Sequence, residues 1–148
     1  MKKIIKGVIP AAGFGTRMRS LSQNIPKEML PICKKPIIEY AIKDMIKSDI
    51  REIAIITHPE KTIMNDYISE FIKKESQNKP NTPEIYFINQ TKRRGLAHAI
   101  YLAKDFIGQQ PFAIFLPDNL VMTNMSKKNI YQPLTWTSQN QTGNINLL

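Results

Sequence analysis

Short apolar runs recur along the chain at 4–9, 53–57, 85–88 and 112–116, with a last one at 145–148. Each is nearly continuous in apolar and β-branched residues rather than alternating, the pattern of strands covered on both faces of a sheet. Between them the apolar spacing changes. Ile38, Ile42 and Ile46 with Ala41 and Met45, then Met64, Ile68 and Ile72 with Tyr67 and Phe71, then Ala99, Ala103 and Ile107 with Leu96, follow the period of one buried helix face. Pro36 stands where the first helix starts, a place that tolerates a missing N–H, and SQNKPNTPE at 76–84 reads as a loop. Strands alternating with helices of this length predict βαβ units and an α/β, three-layer, Rossmann-like fold around a mostly parallel sheet, with ligands beyond the carboxyl ends of the strands.

Length and composition narrow this picture. The 148 residues suit one domain with a real core. After Asp118 the chain has no Asp or Glu, and 119–148 reads as a polar tail with a weak helix near 127–137 and a last strand. The formal charge of +9 attracts polyanions. Because the basic residues are dispersed in small clusters such as Lys92-Arg93-Arg94, a solvated surface accounts for most of them and nucleic acid is not the expected partner. The lone cysteine, Cys33, offers no disulfide or metal pair and is expected as an inert small hydrophobe in a reducing cytoplasm. Lys2 and Lys3 before an apolar run mimic a secretory signal, but Lys6, Gly7 and Pro10 interrupt it. No stretch approaches the roughly 18 apolar residues of a membrane span, so a cytoplasmic location is expected.

The loop after the first strand, AAGFGTRM at 11–18, fits neither common phosphate pattern. GxGxxG would need glycine where Met18 stands, and GxxxxGK[ST] is absent. Small residues Ala11, Ala12 and Gly13 let a base or ribose approach the backbone, while Gly15, Thr16 and Arg17 could meet phosphate oxygens with N–H groups and a bidentate cation. The same residues also suit a plain tight turn with a solvated arginine. Further on, Lys27 and Glu28 form a charged pair in a segment stiffened by Pro26, Pro31 and Pro36.

Together, VIPAAGFGTRM, PKEMLPI and KPIIEY, followed by NQTKRRGLAHAI at 89–100 and FLPDN at 115–119, closely resemble the N-terminal region of bacterial UTP:glucose-1-phosphate uridylyltransferases, a branch of the nucleoside-diphosphate-sugar pyrophosphorylases. The resemblance implies that Ala11, Ala12 and Gly13 face the base and ribose of UTP, and that Gly15, Thr16 and Arg17 face its phosphates. Lys27 would neutralise phosphate charge with Glu28 beside it, Gln90 and Gly95 would read the uracil edge, and Asp118 would hold Mg²⁺. Arg17 and Lys27 would be the catalytic cations, and the partner substrate glucose 1-phosphate.

Members of that family extend well beyond this length, and their later part supplies the sugar site and a second metal carboxylate. The 148 residues are therefore expected to form a single nucleotidyltransferase-type domain whose nucleotide part is 1–118, truncated and impaired in turnover. A non-catalytic nucleotide or nucleotide-sugar binding module is the alternative, a nucleic-acid binder a third reading, and a homo-oligomer is left open. His58 and His98 are distant in sequence, lack further ligands and are expected to be structural. Trp136 stands alone and makes no stacking platform.

Overall fold

Along strand β1 (Lys6–Pro10), Val8 and Ile9 are both fully buried but belong to different apolar clusters, because successive side chains of a strand point to opposite faces. The computed structural model describes residues 3–13, 25–92 and 94–117. Among the described residues, β1 is followed by a 3₁₀ turn (Lys27–Met29), a two-stranded hairpin of β2 (Pro31–Ile32) and β3 (Lys35–Pro36), and helix α1 (Ile37–Lys47). The chain continues through β4 (Glu52–Thr57), α2 (Thr62–Asn78), β5 (Glu84–Asn89), α3 (Gly95–Leu102), α4 (Lys104–Ile107) and β6 (Phe112–Ile114).

The main sheet has the order β5-β4-β1-β6, and every pairing in it is parallel. Val8 pairs in register with Ala54 and Ile114, and Ile9 with Ile55. One face packs Ile9, Ile53 and Ile55 against Ile38, Ile42 and Met45 of α1 and Met64 and Ile68 of α2. The other packs Val8, Ala54 and Ile56 against Ala99, Ala103 and Ile107 of the α3–α4 segment. Each fully buried isoleucine contributes about 1.5–3 kcal/mol relative to exposure. Gly7 lets α1 approach: a Cβ there would come within 2.7 Å of Met45 Sδ. The sheet order turns back at β1, with β4 and β5 added on one side and β6 on the other, which makes the carboxyl end of β1 the natural ligand crevice.

The expected α/β class and its alternation of strands and helices are observed, with shifts that have local causes. Strand β1 begins at Lys6 rather than at residue 4, because the carbonyl of Ile5 is taken by the N–H groups of Arg51 and Glu52. Helix α2 continues through Ser76–Asn78, which the sequence had assigned to a loop, and the third helix is divided at Ala103. The run at 85–88 is expected to be covered on both faces. It is instead the sheet edge, with Tyr86 and Phe87 exposed.

Cys33 is corrected outright. It is exposed, at the turn of the β2–β3 hairpin, with a left-handed φ of 57°. A turn needs that conformation more than it needs an apolar side chain. The segment expected as a weak helix and last strand lies outside the described residues.

A polar lock ties α1 to α2. Glu39, 6% exposed, accepts from Lys43 at 2.7 Å and Lys35 at 3.3 Å and from the Tyr67 hydroxyl. Burial alone would raise its pKa, disfavouring the charged form. The hydrogen bonds from Lys43 and Tyr67 and the charge of Lys43 outweigh that and hold the carboxyl below the usual glutamate range. Tyr67 is pushed well above its ordinary value by the same burial and by the adjacent carboxylate.

Candidate functional site

The ladder does not stop at the last residue of β1: Ala11 N–H donates to Ile56 O at 2.7 Å, carrying the extended backbone one residue further. Ala11 then joins the cluster under α1 and α2, and Ala12 the cluster under α3. The loop therefore leaves the sheet straddling both layers, with Gly13 exposed. A Cβ at Gly13 would meet none of the described residues within 4 Å.

Beneath this loop lies a buried ion pair. Lys61, the last residue before α2, is 3% exposed, and Glu28 in the 3₁₀ turn is 1% exposed. Lys61 Nζ donates to Ala11 O at 2.6 Å, Gly13 O at 2.6 Å and Glu28 Oε2 at 2.7 Å. All three ammonium hydrogens thus have acceptors, and the loop after β1, the turn after Pro26 and the entry to α2 are joined at one atom. Burial pushes Lys61 below the ordinary lysine value. Glu28 pulls the other way, and the nearby charge of Lys27 adds to the lowering. Glu28 Oε1 is sealed from solvent and accepts no hydrogen bond from the described residues. A carboxylate oxygen in that state is uncommon and asks for a donor.

On the other side of the crevice, Gln90 follows β5 and is 6% exposed, with its N–H bonded to Thr57 O at 2.7 Å. Its Nε2 lies 3.3 Å from Gly95 O and 2.9 Å from His98 Nδ1. Gly95 opens α3 with a left-handed φ of 80°, a conformation that glycine adopts without strain.

Of the residues singled out from sequence, Ala11, Ala12, Gly13, Lys27, Glu28, Gln90 and Gly95 all lie beyond the carboxyl ends of β1 and β5 or in the 3₁₀ turn that Lys61 ties to the β1 loop. Gly15, Thr16, Arg17 and Asp118 lie outside the described residues. Sequence reasoning missed Lys61. Its signal is its place between the end of a parallel strand and the start of a helix, where a lysine can turn back over the neighbouring loop. His98, expected to be structural, lies with its Nδ1 2.9 Å from the Gln90 amide nitrogen. Among the described residues no group of three or more His, Cys, Asp or Glu could hold a metal ion. Glu28, the nearest buried carboxylate, already carries an ammonium, a poor arrangement for a divalent cation. Among the described residues no helix is long and apolar enough to cross a membrane.

A parallel sheet that turns back at β1, with a small-residue loop at the carboxyl end of that strand, defines an α/β protein of the doubly wound, ligand-binding class. The chain belongs to the nucleotidyl transferase family, whose model matches residues 6–142. It is similar to the UTP–glucose-1-phosphate uridylyltransferase of Bacillus subtilis, 37% identical over 139 residues, covering 82% of this chain and 46% of that protein. Among solved structures it resembles a UDP-glucose pyrophosphorylase complexed with UDP-glucose, at 37% identity and a TM-score of 0.66 over 78% of this chain and 46% of that one. A UTP-bound UGPase from Acinetobacter baumannii is similar at 29% identity and a TM-score of 0.66, with the same coverage. The chain spans about half the length of the curated relatives it matches, as expected of a resemblance to their N-terminal part.

Proposed function

We propose that this chain is the nucleotide-holding part of a UTP:glucose-1-phosphate uridylyltransferase, the reaction that joins UTP and glucose 1-phosphate to give UDP-glucose and pyrophosphate. The observation that carries the reading is the convergence of Ala11–Gly13, Glu28 and Lys61 on one side of the crevice, with Gln90 and Gly95 beyond the end of β5. In this reading the base and ribose lie against Ala11, Ala12 and Gly13, Gln90 and Gly95 meet the uracil edge, and Glu28 borders the pocket.

The chemistry asks little of a general base, because the attacking sugar-phosphate oxygen is already an anion. It asks for cations and N–H groups where charge gathers as that oxygen attacks the α-phosphorus and pyrophosphate leaves. Lys27, whose charge is felt at Lys61, supplies one cation at the turn beside the loop. Arg17, with the backbone of Gly15 and Thr16, supplies the phosphate side. Asp118 follows buried Pro117, just beyond the strand that pairs with β1, and would hold Mg²⁺ together with phosphate oxygens of the nucleotide. A bound Mg²⁺ would neutralise phosphate charge. A cytoplasmic location suits a triphosphate substrate and an unpaired thiol.

The 148 residues, about half the length of their relatives, are expected to bind UTP while turning over slowly or not at all. The second reading is a nucleotide or nucleotide-sugar binding module without catalysis, in which the same loop and Gln90 contacts hold the ligand. Incubation with UTP, glucose 1-phosphate and Mg²⁺, with UDP-glucose and pyrophosphate followed alongside UTP binding, separates the cases. Binding with slow, stoichiometric formation of both products supports the transferase. Binding without product supports the module, and neither binding nor product contradicts both.

A further inference from the structure

Gln90 Nε2 faces two groups at once, Gly95 O at 3.3 Å and His98 Nδ1 at 2.9 Å. A backbone carbonyl can only accept, so the atom facing it must be the amide nitrogen, and the alternative placement would set two oxygens against each other. It follows that His98 Nδ1 is also an acceptor and that its imidazole proton sits on Nε2. Both hydrogens of the amide are then spent within the protein. Gln90 Oε1 is left as the acceptor that the described residues do not use.

We infer that His98 is a positioning residue that sets base selectivity: by locking the Gln90 amide, it offers the base an acceptor alone and so selects pyrimidines with a ring N–H over those whose ring nitrogen is itself an acceptor. This rests on the reading of Gln90 as a base contact. Uracil presents N3–H between two carbonyls and matches Oε1. Cytosine presents an unprotonated N3 at the same point, acceptor against acceptor, and can offer its amino hydrogen only by shifting across the edge. Without the Nδ1 contact one amide hydrogen is released and only the longer 3.3 Å contact to Gly95 O opposes turning the amide over, so its nitrogen can be presented to the base, which cytosine accepts.

The test is calorimetric titration of the full chain with UTP and with CTP, each with Mg²⁺, for the parent, His98→Leu and His98→Asn. Parent protein is expected to favour UTP by about tenfold or more, the size of one mismatched base contact. His98→Leu, which keeps bulk but has no acceptor, is expected to bring the two affinities toward parity. His98→Asn, whose Oδ1 falls where Nδ1 stood, is expected to restore the preference. A purely structural role for His98 would lower both affinities together and leave their ratio alone.

An unchanged ratio in His98→Leu overturns the inference while leaving UTP binding intact, and a parent chain that binds neither nucleotide overturns the base-site reading with it. A measurement on unaltered protein stands beside the variants. A long-range ¹H–¹⁵N correlation spectrum is expected to show His98 protonated at Nε2 and bare at Nδ1, and a proton on Nδ1 overturns the inference.

Discussion

Lys61 Nζ stands 2.7 Å from Glu28 Oε2, with both side chains within 3% of full burial. Each ion offsets part of the desolvation penalty the other bears, so the pair is weak as a source of net stability but costly to break from one side. Its value is positional: the same ammonium grips the carbonyls of Ala11 and Gly13.

Lys61→Met strands the Glu28 carboxylate and is expected to cost about 3–5 kcal/mol in urea unfolding. Adding Glu28→Leu is expected to recover most of that loss, because a pair of apolar residues fills the space without a buried charge. UTP affinity is expected to stay low in the stable double variant, since the loop has lost its anchor. Full affinity there would leave the pair with a packing role alone.

The lock between α1 and α2 carries a pH signature. Glu39 is held below the usual glutamate value of 4.5, the carboxylate being favoured in the fold by Lys43, Tyr67 and Lys35 despite burial. Such a group adds stability that is complete above the unfolded value and is lost as pH falls through the lower, folded one. Glu39→Gln is therefore expected to be less stable than the parent at pH 7 and to converge with it as the pH drops below 4.5, in paired urea titrations. Tyr67→Phe removes a donor to that carboxylate and is expected to cost about 1.5–3 kcal/mol at neutral pH. A constant gap for Glu39→Gln from pH 7 downward would contradict the arrangement.

At the hairpin turn, Cys33 holds a φ of 57° that costs an L-residue about 1–2 kcal/mol and glycine nothing. After the extra chain entropy of glycine is subtracted, Cys33→Gly is expected to stabilise the protein by about 0.5–1 kcal/mol. Thermal unfolding checks this, and UTP affinity is expected to be unchanged. A destabilised variant would mean that the side chain packs.

The central strands were legible because β1 and β4 are buried on both faces, and their continuous apolar runs have no other use. The β5 run looked the same, yet Tyr86 and Phe87 stand exposed. An apolar run does not say whether a further element covers it. Lys27 and Glu28 could be placed near the first loop only through the resemblance that PKEMLPI carries, since the prolines around them limit backbone freedom without saying what the pair faces. Lys61 could not, because a lysine after a strand reads as solvated until the fold brings a carboxylate and two carbonyls to it. Likewise His98 shows its partner only once α3 packs beside the end of β5. The hairpin escaped notice because its strands are two residues each, too short for any period.

Titration of the 148-residue chain with UTP in the presence of Mg²⁺, with ATP as the comparison, tests the nucleotide site most directly. The expected result is saturable one-to-one binding of UTP that is clearly tighter than that of ATP and is weakened by Gln90→Ala. Absence of saturable binding, or equal binding of both nucleotides that is indifferent to Gln90, would contradict a uridine-nucleotide site at the carboxyl end of β1.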